Sequence, residues 1–383
     1  MAKSVTMNPA DQGRTRAWAQ RVGDPWILLC ALALSSIGLV MVYSASSALA
    51  AKRYLDSAYL LKHQLVPLGV GIGLMALLAA RDYQRLTRLA YPLLGLVMVL
   101  LIMVLIPGVG HRAGGAARWL RVGSISIQPA EFAKLALVIY LASSLSRHQE
   151  QIKSFSRGFL PHLGVAVLLT APVMLEPDLG MSVTLLLLAG VMLFVAGTRI
   201  TYLLAVVLAA LPGLYFAVFK VAFRLKRFTA FLSPWDDPGN TGFQIIHSFL
   251  AFGSGGVTGA GLGASKQKLF YLPEPHTDFI FSVLGEELGL VGVVVVLGLF
   301  MVLVWRGVKT ALEARDLLGT YLALGATLII GLQAFVNAAV VMGLLPTKGL
   351  TLPFISYGGS SLVANFACVG ILLSVATHKG RRA

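Results

Sequence analysis

The chain reads as an all-α polytopic membrane protein with ten transmembrane helices and a large extracytoplasmic loop between the seventh and eighth. Composition predicts this first: of 383 residues, 57% are apolar and 12% charged, about half the charged share of a soluble domain. Patterning predicts it second. The apolar runs have the length of roughly 20 residues that a helix needs to cross about 30 Å of hydrocarbon, where only helices and closed barrels satisfy their backbone groups. Charge placement is third. The 31 Lys and Arg against 16 Asp and Glu, net +15, would suit nucleic acid, but they fall in short segments between the runs and so report topology.

Residues 1–24 form a polar, basic tail. Spans are expected at 26–48, 64–80, 89–106, 128–145, 159–175, 181–197, 200–219, 279–305, 317–344 and 353–377, within one membrane domain over 25–377, followed by a short tail at 378–383. Ala48, Leu49 and Ala50 imitate a signal-cleavage site, yet the charge-free stretch 25–51 is too long for an ordinary signal core. An even number of spans, with basic residues moderately enriched on the side of the termini, places both termini in the cytoplasm. The opposite face is unusually basic and needs its own reason. Cys30 and Cys368 each lie inside an apolar run, which leaves neither a disulfide framework nor a soft-metal cluster.

Two outer segments are long, 107–127 and 220–278, and long loops tend to carry function. In the first, GGAARWLRVG offers Arg118, Trp119 and Arg121; an interfacial Trp is ordinary belt material, whereas the arginines can grip phosphate oxygens with paired hydrogen bonds. The second begins VFKVAFRLKRF, whose spacing suits a helix at the headgroup level, an anchor in preference to a substrate site. FGSGGVTGAGLGASKQK is glycine-rich but fits neither a Walker A nor a dinucleotide spacing, so no nucleotide is expected; close backbone packing explains it better.

KLFYLPEPHTDFIFSVLGEELG gathers Glu274, His276, Asp278, Glu286 and Glu287 where the loop re-enters the membrane. Carboxylates at that depth are costly and usually paired or functional. Desolvation would strengthen Asp278 as a base; the equal alternative is that it caps the helix beginning at Phe279. Glu274, His276 and Asp278 also alternate as metal ligands can, a weak signal on one short loop.

In the fourth span Glu131 and Lys134 are three apart and can pair, as part of a site or as a structural clamp. EPDLG puts Glu176 and Asp178 at the outer edge, where Asp178 either caps the sixth span or faces Asp278 across a cavity. LLPTKGLTLPFISYGGSSLVANF is broken by Pro346, Gly349, Pro353, Gly358 and Gly359. Such breaks occur where backbone is buried in protein or lines a wet cavity, which Lys348, Ser356, Tyr357, Ser360 and Ser361 would line unless the small residues serve packing.

These segments, with MVYSAS in the first span, GAARWLRVGSISIQPAEFAKL, EPDLG, GFQIIHSFLAFGSGG with GLGASKQKLFYLPEPHTDFIFSVLGEELG, and GLTLPFISYGGSS, together resemble the shape, elongation, division and sporulation (SEDS) family. SKQKLFYLPEPHTDFIF and SLVANFACVGILLSVA look closer to its division branch than to its elongation branch. The resemblance implies a ten-helix glycosyltransferase of the inner membrane, at the division septum, that polymerises lipid II into peptidoglycan strands on the outer face.

It further implies Asp278 as the catalytic aspartate, Glu131 and Lys134 as a pair near the cavity with Arg118 and Trp119 beside it, and Asp178 as a second acid. Lys348 and residues 356–361 match the family's final loop, and His276 precedes the aspartate. The partners implied are lipid II, the growing strand, a class B penicillin-binding protein transpeptidase and other division membrane proteins, with no nucleic acid. Because the donor sugar is α-linked and the product β, one inverting displacement with one base suffices. Arg118, Arg121, Lys134, Lys266 and Lys348 are candidates to neutralise the leaving undecaprenyl pyrophosphate, with Mg2+ or Mn2+ near Asp178 and Asp278 as an optional helper. A lipid II flippase and a non-catalytic scaffold are the competing functions.

Overall fold

The computed structural model describes residues 23–113, 116–123, 125–269 and 274–378. The expected tails at 1–22 and 379–383, and positions 270–273 inside KLFYLPEP, lie outside the described residues. Among those described, twelve α-helices and one small sheet form the fold: α1 (Pro25–Tyr54), α2 (Tyr59–Ala79), α3 (Leu86–Leu105), the sheet, α4 (Pro129–Arg147), α5 (Leu160–Leu175), α6 (Leu179–Val195), α7 (Ile200–Phe219), α8 (Ala222–Leu232), α9 (Phe243–Gly255), α10 (Ile280–Leu312), α11 (Leu317–Val341) and α12 (Gly359–Thr377).

Among the described residues, eight segments are long and apolar enough to cross a membrane. The two further expected spans are present as helices but differ in kind: α6 has only 17 residues, and α4 carries Glu131 in its first turn and Lys134 three residues on. A charged pair is tolerated there because α4 is enclosed. From Pro129 to Leu145 every residue but Phe132 is buried, as is every residue of α12 from Ser360 to Ala376 but Val363. These two helices and α11 are the centre of the bundle. At the periphery, α7 has no fully buried residue; Tyr202, Leu203 and Val206 rest against the core and most of the remaining apolar surface faces outward.

Local sequence explains the ends. Asp24 caps α1 by accepting from the Trp26 amide at 3.1 Å, ahead of Pro25 in the first turn, and its carboxylate also holds Arg306 at the far end of α10 at 2.6 Å. The expected anchor in VFKVAFRLKRF is α8. Helix α10 is not continuous. At Gly289 the backbone turns to φ 64° and ψ −164°, and the segment after α9 repairs the break. Leu290 and Val291 amides donate to the Gly256 and Val257 carbonyls, while Ala260 and Gly261 amides donate to the Glu286 and Glu287 carbonyls. A side chain on Gly259 would sit 2.2 Å from the Glu287 carbonyl oxygen, which is why a glycine-rich segment is needed.

Two expectations are corrected in detail. Segment 107–127 contains a three-stranded antiparallel sheet, β1 (Gly110–Ala113), β2 (Ala116–Val122) and β3 (Ile125–Ile127), in that order, with Leu120 opposite Ile127. The last helix starts at Gly359, not at 353, because 346–358 is spent on a loop. Phe354 within it has φ 64°, and α1 approaches so closely that a Cβ on Gly38 would lie 2.4 Å from the Phe354 carbonyl oxygen.

Candidate active site

A cavity of about 940 Å³ opens where the sheet, the α5–α6 turn, α7, α8 and the loop before α12 meet. One wall is charged: Arg118 from β2, Asp178 from the turn, Arg224 and Arg227 from α8, and Lys348 from the loop. The rest is apolar, with Leu211, Leu214, Tyr215 and Phe219 of α7 and Phe228 of α8. A ligand with an anionic head and a hydrocarbon tail matches that division.

Each charge is placed by a specific contact. Asp178 uses one oxygen to cap α6, accepting from the Met181 amide at 3.0 Å, and the other to hold Arg118 Nε at 3.3 Å. Of the two roles expected of its carboxylate, the cap is made, and Asp178 also lines the cavity, but Asp278 is not on that lining for it to face. Arg118 Nη2 also donates to the Pro177 carbonyl at 3.1 Å, which fixes the guanidinium plane at the rim. The Lys348 stem passes Gly180, where a Cβ would lie 3.1 Å from its Cδ. Burial pushes the Lys348 ammonium below its usual range, and nearby Asp178 partly restores it. Arg227 donates to the Thr347 carbonyl at 3.4 Å.

Asp278 is not itself among the residues lining the cavity; it stands directly behind Gly349, which is. The residue that caps α10 is Phe279 and no side chain makes the cap bond, so the carboxylate is not used to start the helix. Its Oδ2 lies 3.1 Å from where a Cβ on Gly349 would be, and Gly349 lines the cavity; glycine there leaves the carboxylate an open approach. The segment carrying it is fastened on several sides. Asn337 of α11 donates to the carbonyls of Asp278 at 2.9 Å and Leu350 at 2.6 Å. Ser356 donates to the Thr277 carbonyl at 2.6 Å, and the Tyr357 amide donates to that of His276 at 2.9 Å. Burial pushes the Asp278 carboxyl up to about 7; Arg227 and Arg118 oppose the rise, while Glu274 and Asp178 add to it.

Glu131 and Lys134 pair at 2.8 Å, both almost fully enclosed. Lys134 also donates to Gln333 Oε1 at 2.6 Å, and the Gln333 amide donates to the Thr351 carbonyl and the Ser361 hydroxyl at 3.0 and 3.1 Å. The pair therefore props the 346–358 loop from beneath and is not on the cavity wall. Ser360 accepts from the Gln128 amide at 2.9 Å, joining the loop's end to the start of α4.

The structure thus brings Arg118, Asp178, Lys348 and Asp278 together and sets Glu131, Lys134, Ser356 and Ser360 one layer behind. Trp119 is half-buried opposite His111 in the sheet, and Lys266 is exposed, using its backbone amide on Glu286. His276 is buried beside Glu274, and Tyr357 is half-buried against its ring. None of these four lines the cavity. Sequence reasoning missed Arg224 and Arg227 as wall residues, having read α8 as an anchor. It also missed Gln333 and Asn337, although two amides in an otherwise apolar run were a usable signal.

Glu176 is the remaining surprise. It is 1% exposed and neither carboxylate oxygen has a partner among the described residues. Burial, reinforced by Asp178, raises it to about 8, so it holds its proton at neutral pH. Among the described residues no three His, Cys, Asp or Glu converge, so no protein-only cage for a divalent ion is formed there.

The profile described as a cell cycle protein, for FtsW, RodA and SpoVE, matches residues 25–381. A "Probable peptidoglycan glycosyltransferase FtsW" of Geobacter metallireducens is 52% identical over 355 residues, covering 93% of this chain and 95% of that one. Stage V sporulation protein E of Bacillus subtilis is 45% identical over 355 residues, with 93% and 97% covered. Among solved structures, a chain described under "Structural coordination of polymerization and crosslinking by a peptidoglycan synthase complex" superposes with a TM-score of 0.77 at 33% identity, over 94% of this chain and 98% of that one. The rod shape determining protein RodA of Thermus thermophilus superposes with a TM-score of 0.68 at 31% identity, over 93% and 97%.

Proposed function

The chain belongs to the cell cycle protein family of FtsW, RodA and SpoVE, and from that membership and the cavity we propose how it works as a peptidoglycan glycosyltransferase of cell division. Lipid II is the substrate. The donor's pyrophosphate meets Arg118, Arg227 and Lys348, its prenyl chain lies along the apolar α7 wall, and Asp278 acts as general base on the acceptor. The observation that supports this reading is the position of Asp278: a desolvated carboxylate that caps no helix, directly behind Gly349 of the cavity and within the field of Arg227 and Arg118.

In the reaction Asp278 takes the proton of the acceptor 4-hydroxyl as that oxygen attacks the donor's anomeric carbon. The new C–O bond forms with inversion, giving a β-1,4 link, as the bond from that carbon to the pyrophosphate oxygen breaks. Undecaprenyl pyrophosphate leaves as an anion held by the wall cations. Asp178 keeps Arg118 aimed at that anion. Any Mg2+ or Mn2+ would be held by one carboxylate such as Asp178 plus the substrate's own phosphates, the arrangement Mg2+ commonly takes.

We place α4 and α6 among the membrane spans, giving ten, with both termini cytoplasmic and the cavity on the outer side of the inner membrane at the septum. The basic outer face then has its reason in an anionic substrate. By analogy with the peptidoglycan synthase complex, the partner is a class B penicillin-binding protein transpeptidase. The test is polymerisation of lipid II by the purified pair. Asp278→Asn keeps the shape and removes the base, and no strand should form; an unchanged yield refutes the assignment.

A further inference from the structure

A polymerase has to hold the strand it is extending as well as the unit it adds, and the cavity accounts for only one of these. Away from the cavity lining the structure places a cluster of rings that no step above uses. Tyr54 at the end of α1 stacks on Tyr59 at the start of α2, with ring centres 4.0 Å apart and planes 12° from parallel. His63, one turn on, lies 4.1 Å from Tyr59. The Arg53 guanidinium sits 5.6 Å from the Tyr54 ring.

Gln64, the next residue of α2, fixes this column beside the catalytic segment. Its amide donates to the Ser356 carbonyl and its oxygen accepts from the Gly358 amide, both at 3.3 Å, so it brackets Tyr357. The Tyr357 ring packs edge-on against His276 at 5.5 Å, two residues from Asp278. Burial, and after it the nearby Tyr54 and Tyr59, push the Tyr357 phenol up. Tyr54 is exposed, Tyr59 and His63 are half-exposed, and none of the rings lines the cavity.

We propose that the Tyr54–Tyr59–His63 column, continued by Tyr357, is a binding site for the growing glycan strand, holding its sugars as they leave Asp278. The rings suit that ligand chemically. A pyranose turns one face of C–H groups toward the electron-rich face or edge of an aromatic ring, while its hydroxyls need donors and acceptors, which phenols, imidazole and guanidinium supply. An interfacial aromatic belt would also place tyrosines at helix ends. It would not require rings stacked in register beside the catalytic segment.

This inference rests on the glycosyltransferase reading, and the experiment separates the two. The purified protein with its transpeptidase partner is given lipid II, and strand length is measured together with the affinity for a lipid-free oligosaccharide cut from peptidoglycan. Tyr54→Leu and Tyr59→Leu keep apolar bulk but lose the ring, and Tyr59→Phe keeps the ring. The leucine variants should make markedly shorter strands and bind the oligosaccharide about tenfold more weakly, with Tyr59→Phe close to wild type in both. Wild-type strand length and affinity in folded leucine variants overturn the platform alone. Shortening in Tyr59→Phe equal to that in Tyr59→Leu overturns it too, because the ring is then irrelevant. A wild-type complex that neither polymerises lipid II nor binds the oligosaccharide overturns both readings.

Discussion

Arg118 illustrates how one contact sets a residue's chemistry. Its Nε meets Asp178 and its Nη2 meets the Pro177 carbonyl, so the remaining donors point away from the turn. Arg118→Lys keeps the charge but loses the planar fork, and lipid II turnover by the complex should fall at least about tenfold with folding intact. Glu176 makes a second prediction, of stability. Its folded carboxyl holds a proton up to about 8, against 4.5 in the unfolded chain. The stabilisation is complete below 4.5, declines as pH rises from 4.5 to 8, and changes no further above that. Glu176→Gln removes this slope, so its melting temperature in detergent should gain on wild type across that window and then stay level. A constant difference between the two would contradict the assignment. Asp278, Asp178, Arg118 and Lys348 were legible from sequence because charge at membrane depth is rare. Arg227 was not, because an amphipathic segment reads the same whether it faces headgroups or a cavity.

Among the elements, the buried Glu131–Lys134 pair supports the 346–358 loop through Gln333, and the break in α10 is closed by backbone hydrogen bonds from the segment after α9. Lys134→Met leaves a carboxylate buried without its partner and should cost about 3–5 kcal/mol, whereas the double variant with Glu131→Gln should recover most of it. Unfolding and lipid II turnover measured on the two proteins decide whether the pair is a prop: turnover that recovers together with stability in the double variant supports it, and stability recovered without turnover contradicts it. At the α10 break, Gly259 adopts φ 84° with no room for a side chain. Gly259→Ala should therefore destabilise by about 1–3 kcal/mol or more, read as a lower melting temperature. The sequence announced the long apolar helices plainly, since hydropathy acts over a whole run. It hid the small sheet, whose strands are too short to show a period, and the loop at 346–358. Apolar residues such as Phe354 and Ile355 there are buried against α1 and imitate a continuing helix.

For the molecule as a whole, the arrangement is a central charged prop, a loop laid over it and a cavity open toward the outward-facing α7. The charged wall of the cavity gathers at one end of the bundle beside the apolar α7, as expected for a substrate whose head is hydrated and whose tail is lipid. The division of labour was partly visible in the sequence. The family motifs named the segments, but only the fold showed that Glu131 and Lys134 connect to the loop through Gln333 while Arg227 lines the cavity.

The claim on which the rest depends is that ionised Asp278 is the base. The most direct test is the pH dependence of single-turnover glycan coupling by the purified complex with saturating lipid II. An acid group raised to about 7 predicts a rate that rises about tenfold per pH unit below 7 and levels off above 8. A profile flat across 5 to 9, or a limb centred near 4, would contradict the account.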